Sequence, residues 1–250
     1  MSEQLSYPRH KARTAGFTLG SPRRFRISPD GARVVFVRSA SGVSRAGALW
    51  VLDVAPGQPG AARERLVADP LTLLGADEEE LPAEERARRE RTREQAGGIV
   101  DYSTDREVTL AAFALSGRLF VADLTGRADP AVWEVAAAGP VLDPHLDPTG
   151  QAVAYVTDGA LHVTGALHVT GTRAGAGGAG RDGDDPDGAD RVLAAPDGPT
   201  VRWGLAEFVA AEEMGRTRGY WWSPDGRAIL AARVDEAGVP IWHLADPAHP

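Results

Sequence analysis

"WSPDGRAILAARVD" (222–235) joins a tight turn to an alternating apolar run. The same grammar occurs in "ISPDGARVVFVRS" (27–39) and "LDPTGQAVAYVTDG" (146–159). Proline presets φ for the second turn position, and glycine accepts the positive φ that follows. The β-branched run behind each turn predicts a strand. Second strands follow in "GALWVLDVAPG" (47–57) and "GALHVTG" (159–165), and "LAAFALSGRLFVADLTG" (110–126) is a strand–turn–strand unit centred on Ser116 and Gly117. Asp30 and Asp147 are 117 residues apart and Asp147 and Asp225 are 78 apart, near multiples of the about 40–45 residues of a four-stranded propeller blade. The expected fold is all-β: a partial β-propeller of four-stranded antiparallel blades over 21–250, behind an N-terminal extension at 1–20. A β-sandwich is the alternative.

Two segments interrupt the β pattern. Residues 77–95, "DEEELPAEERARRERTREQ", are helical by propensity. Pro82 suits a first-turn position, and Glu84–Arg88 and Glu85–Arg89 are spaced i,i+4. This helix has no apolar stripe, so it reads as an insertion that is solvated or bridges other elements. The second segment, "RAGAGGAGRDGDDPDGAD" (173–190), is too rich in Gly and Asp to bury a core and is expected to be a flexible loop. Ahead of it the hexapeptide GALHVT is duplicated, with His162 and His168 too far apart along a strand to share a metal.

Composition excludes several function classes. A formal charge of −8 argues against a nucleic-acid partner, which needs a basic footprint. With no cysteine there are neither disulfides nor thiolate metal sites. The N-terminus has no signal-peptide-like apolar run and no later segment approaches a membrane span, so no membrane partner and a cytoplasmic location are expected. No G-x-S-x-G elbow and no phosphate-binding loop occur, and the six histidines fall in no metal-ligand pattern. No metal, no cofactor and no internal catalytic residues are expected.

What remains is an adjacent acid pair, Glu212 and Glu213, within "WGLAEFVAAEEMGRTRGYWWSPDG" (203–226). An arbitrary Glu-Glu is usually a solvated loop or helix end. Here it follows a short helix-like run (205–214) and precedes a return into a strand, as expected of an excursion from a blade. Trp203, Phe208, Tyr220, Trp221 and Trp222 are placed to bury the base of that excursion.

These residues carry a resemblance. Phe208-Val209, Glu212-Glu213 and Tyr220-Trp221-Trp222-Ser223-Pro224 resemble the glutamate motif of the dipeptidyl peptidase IV family, serine exopeptidases of the prolyl oligopeptidase clan. "RERTREQAGGIVDY" (89–102) resembles the arginine-bearing helix of the intracellular members, dipeptidyl peptidases 8 and 9. By register from Gly98-Ile99-x-x-Tyr102, Arg93 falls at the substrate-contacting arginine, with Arg89 and Arg91 as close alternatives. The likeness runs from about residue 20 onward and departs from the family pattern in the 173–190 loop and the duplication.

The resemblance implies that Glu212 and Glu213 bind the free α-ammonium of a peptide substrate and that Arg93 binds a substrate carbonyl. An ammonium with three donors needs several acceptors, which two carboxylates supply. Seating the amine there leaves room for two residues before the scissile bond, so the implied activity of the whole enzyme is release of N-terminal Xaa-Pro or Xaa-Ala dipeptides. The family's Ser-Asp-His triad lies in a C-terminal α/β-hydrolase domain with no counterpart in these 250 residues. The chain is therefore expected to be the N-terminal portion of a longer enzyme, inactive alone, with that domain as its partner and a homodimer as a common family state. The rival readings are a non-catalytic propeller acting as a binding module and the propeller of another peptidase of the clan.

Overall fold

Alternation along the strands dictates the architecture. The computed structural model describes residues 5–240, apart from 56, 58–59, 76–78, 92–93, 95, 166 and 168–188. After helix α1 (Tyr7–Arg13), β1 (Arg23–Ile27), β2 (Arg33–Ser39), β3 (Ala46–Asp53) and β4 (Arg63–Ala68) form an antiparallel meander. Helices α2 (Pro70–Leu74) and α3 (Ala83–Arg91) follow, and β5 (Gly97–Gly98) returns to pair parallel with β3. The second sheet is β6 (Ser103–Thr104), β7 (Leu110–Leu115), β8 (Arg118–Asp123) and β9 (Val132–Val135). The third is β10 (Leu142–Leu146), β11 (Val153–Thr157), β12 (Ala160–Thr164) and β13 (Arg191–Ala194). Beyond them β14 (Val201–Trp203) pairs with β17 (Arg233–Asp235), and β15 (Tyr220–Trp222) pairs with β16 (Ile229–Ala231) across helix α4 (Phe208–Glu212) and the turn at Ser223.

The sheets stack face against face. On β7 and β8, Ala111, Phe113, Leu115, Phe120 and Ala122 pack toward the first sheet, while Ala112, Leu119 and Val121 pack toward the third. On β11, Val153 and Tyr155 face the second sheet, and Ala154 and Val156 face Tyr220 and the last strands. A strand buried on both faces needs an apolar residue at every position, which explains the near-continuous apolar runs. Such a stack of short meanders is a propeller, and its first strands, β1, β6, β10 and β15, converge on one cavity.

The turn grammar is realised in hydrogen bonds. Ser28 Oγ accepts from Arg33 N–H at 2.9 Å, and Ser223 Oγ accepts from Ala228 N–H at 2.9 Å. Asp147 stands in the serine position, accepting from Gln151 and Ala152 N–H. The repeat therefore aligns Asp147 with Ser28 and Ser223, two residues out of step with the Asp30–Asp147–Asp225 spacing. A fourth copy, without Pro or Gly, sits in the second sheet, where Asp105 accepts from Thr109 and Leu110 N–H. Tyrosines tie neighbouring sheets together at two seams. Tyr102 Oη lies 2.6 and 2.8 Å from the carbonyls of Arg24 and Val35, and Tyr220 Oη makes the matching contact with Ala154 O at 2.7 Å.

The helical insertion is shorter than the composition of 77–95 implies, at Ala83–Arg91. Glu85–Arg89 forms as its spacing predicts, whereas Arg88 turns to Glu85 rather than to Glu84. The expected loop at 173–190 lies outside the described residues up to 188, as does His168 in the second hexapeptide copy.

Candidate functional site

The excursion carrying the acid pair is held at both ends. Glu207 caps α4, its carboxylate accepting from Val209 N–H at 2.8 Å and Ala210 N–H at 2.7 Å. Ala210 is the buried residue of the helix, and its carbonyl accepts from Arg216 N–H as the chain turns back. A Cβ at Gly219 would stand 2.4 Å from the Leu205 backbone, so only glycine fits where the two arms of the excursion cross. Tyr220 is fully buried beyond it, and Trp222 Nε1 donates to His145 O at 3.0 Å.

Glu212 is the last helical residue and Glu213 the cap that follows, in a right-handed helical conformation. Both are exposed. Among the described residues neither carboxylate has a hydrogen-bond or ion-pair partner. The aromatic base differs from expectation. Tyr220 is buried and Trp203 and Trp222 are half-buried, but Phe208 is 54% exposed and Trp221 is also exposed, because α4 turns its Phe208 and Val209 side outward and buries only Ala210.

Next to α4 stands α3, across a cavity of about 370 Å³ lined by Ala87 and Arg88 on one side and by Leu205, Phe208 and Ala211 on the other. Two charges of α3, Glu85 and Arg89, point inward, while Glu84, Arg86 and Glu90 stay exposed. Arg89, with a side chain 7% exposed, donates to Glu85 Oε1 and Glu79 Oε1, both at 2.8 Å. Glu79 Oε2 accepts from Gly98 N–H at 2.7 Å, which joins the helix to β5 and so to the first sheet. Arg88 forks onto Glu85 at 2.6 and 2.8 Å. Burial pushes Glu85 up, but the hydrogen bonds and charges of Arg88 and Arg89 outweigh it and hold the carboxyl below the ordinary glutamate value. Past the helix, Glu94 bonds Arg23 of β1 at 2.6 Å.

Among the candidate arginines, Arg89 is therefore engaged in holding the helix. Arg93 lies outside the described residues, as does the side chain of Arg91.

A polar pair stands nearby on β10. Asp143 and His145 on β10 are bonded, Oδ1 to Nε2, at 2.9 Å, and Asp143 Oδ2 is buried without a partner among the described residues. Burial raises the Asp143 pKa, but His145, Arg218 and Arg88 bring it below the usual carboxylate range. The available signal was the i,i+2 spacing in "LDPHL", which puts both side chains on one strand face. Among the described residues no group of three or more acids and histidines is placed to hold a metal ion, and no helix is long and apolar enough to cross a membrane.

Comparison with known families decides the affiliation. A family model for the dipeptidyl peptidase IV N-terminal region matches residues 114–250, more than half of the chain, including the acid pair and the strands around it. The chain belongs to that family. Its sheets are the blades of a dipeptidyl peptidase IV N-terminal propeller. Probable dipeptidyl-aminopeptidase B of Grosmannia clavigera (strain kw1407 / UAMH 11150) is 31% identical over 94 residues, which are 37% of this chain and 9% of that relative. The matched stretch is thus a small part of the relative's length.

Proposed function

We propose that this propeller recognises the N-terminus of a peptide for a dipeptidyl peptidase IV-like serine exopeptidase. In this reading Glu212 and Glu213 take the substrate ammonium, Arg93 takes a backbone carbonyl, and release of N-terminal Xaa-Pro or Xaa-Ala dipeptides belongs to the longer protein with its hydrolase domain. One observation carries it: two adjacent carboxylates, exposed and unpaired among the described residues, at the end of a helix capped by Glu207 and pinned by Ala210. Carboxylates without a partner in the fold are open to an incoming cation. Family membership and the position of α3 beside α4 support the same reading. The likeness of 89–102 to the intracellular members extends the proposal to a cytoplasmic enzyme, which cell fractionation tests.

The deciding experiment is a charge contrast in the longer protein. Glu→Gln at 212 or 213 keeps shape and removes charge, and a hydrogen bond to a charged group contributes about 1.5–3 kcal/mol. Each change should lower kcat/KM for free-amine dipeptidyl substrates by about ten- to a hundredfold. On N-acetylated substrates, already poor, the same changes should cost little more, while Arg93→Ala should still impair. Wild-type turnover of free-amine substrates by both Gln variants would reduce the pair to a solvated helix end.

A further inference from the structure

Strands β1, β6, β10 and β15 surround a cavity of about 230 Å³ whose lining does not include the acid pair. β1 contributes Arg26, β6 contributes Ser103 and Thr104, β10 contributes His145, and β15 contributes Trp221, with Arg218 entering just ahead of β15. Among the described residues no carboxylate lines it. In a chain of net charge −8 this is a local inversion of sign. One acid stands behind the lining: Asp143, which bonds His145 and is drawn down by the charge of Arg218; exposed acids farther than roughly 8 Å are screened by salt at physiological ionic strength.

Two details indicate that the cations await a partner. Arg218 Nε is buried and has no hydrogen-bond acceptor among the described residues. A buried donor left unpaired costs free energy, more so on a charged group. Asp143 acts on Arg218 through charge but makes its hydrogen bond to His145 and lines other cavities. Arg26, on an exposed strand, makes only a 3.4 Å contact to the Phe25 carbonyl and no ion pair among the described residues. Guanidinium forks match the geometry of planar or tetrahedral oxyanions, and hydroxyls such as those of Ser103 and Thr104 donate to the same groups.

We infer that the axial cavity formed by Arg26, Arg218, His145, Ser103 and Thr104 is a binding site for a small oxyanion, a phosphate group or a carboxylate. The volume fits one such group with a few waters and is smaller than the roughly 300 Å³ at which pockets begin to hold drug-sized ligands. The ligand's charge is opposite to that of the ammonium proposed at Glu212 and Glu213, so the two sites can be tested independently.

Calorimetric titration of the 250-residue chain with inorganic phosphate, and separately with acetate, tests the site. Binding of either is expected, weakening as ionic strength rises, and the tighter of the two identifies the source of the group. Arg26→Gln and Arg218→Gln should each weaken it at least about tenfold, as loss of one charged hydrogen bond implies. Arg227→Gln removes the same charge from an exposed turn outside the cavity and should leave binding unchanged. Circular dichroism checks folding of each variant, and Arg26→Gln, on the exposed strand, carries the test should Arg218→Gln unfold. Absence of binding by both anions, or equal weakening by Arg227→Gln, would overturn the inference.

Discussion

Helices α3 and α4 are both short, both charged and both set outside the sheets, yet they treat their charges in opposite ways. α3 turns Glu85 and Arg89 inward, pairs Arg89 with Glu79, and is fastened through Gly98 to the first sheet. α4 is fastened by a cap and one buried alanine, leaving Glu212 and Glu213 in water. Charges that hold a structure have partners nearby in the fold, and charges meant for a ligand are kept from them. The difference teaches how to tell the two kinds of acid apart when composition cannot.

The comparison breaks most visibly at Arg89. Replacing it with Ala leaves Glu79 without its arginine and Glu85 with Arg88 alone, and removing one partner of a buried pair costs about 3–5 kcal/mol. Urea unfolding should show a loss of that order, and a loss under 1 kcal/mol would mean the cluster is solvated in practice. A smaller effect is expected from Glu85, through pH. Its folded carboxyl titrates below the ordinary value of 4.5, so its contribution is present above that pH and is lost as pH falls through the lower folded value. Glu85→Gln should therefore be less stable than wild type at neutral pH, with the gap narrowing below about pH 4.5. Equal gaps at both pH values would contradict the pairing.

On α4 the effects shrink further. Glu207→Ala removes the cap and should cost about 0.5–2 kcal/mol, readable as a lower midpoint in the same urea series. Glu212→Gln and Glu213→Gln should change stability by no more than about 0.5 kcal/mol. A larger loss would show that these acids are structural and would erase the contrast with α3.

The sequence disclosed the propeller because its turns are chemically loud. Pro and Gly at Ser28–Gly31, Asp147–Gly150 and Ser223–Gly226 left little choice of backbone. The equivalent turn at Asp105 was silent, since its carboxylate does the same work through Thr109 and Leu110 N–H without either residue. The acid pair was legible as a motif, but its freedom from partners is a tertiary fact. The inward face of α3 was hidden for a related reason: helix periodicity is read from apolar residues, and this buried face is ionic. The exposure of Phe208 and Trp221 is not legible in the sequence, because aromatic residues beside a strand suggest a core. The axial cavity combines residues from about 26 to 222, and no local pattern announces it.

The two-sided burial of β8 has a consequence for how such a chain can change length. Leu119 and Val121 serve one seam, Phe120 and Ala122 the other. One residue inserted between Arg118 and Asp123 would exchange every later assignment, pressing side chains fitted to one seam into the other. Within these blades length is constrained by parity: strands tolerate additions in twos, and odd numbers belong to the turns. The GALHVT duplication, six residues long, respects that arithmetic.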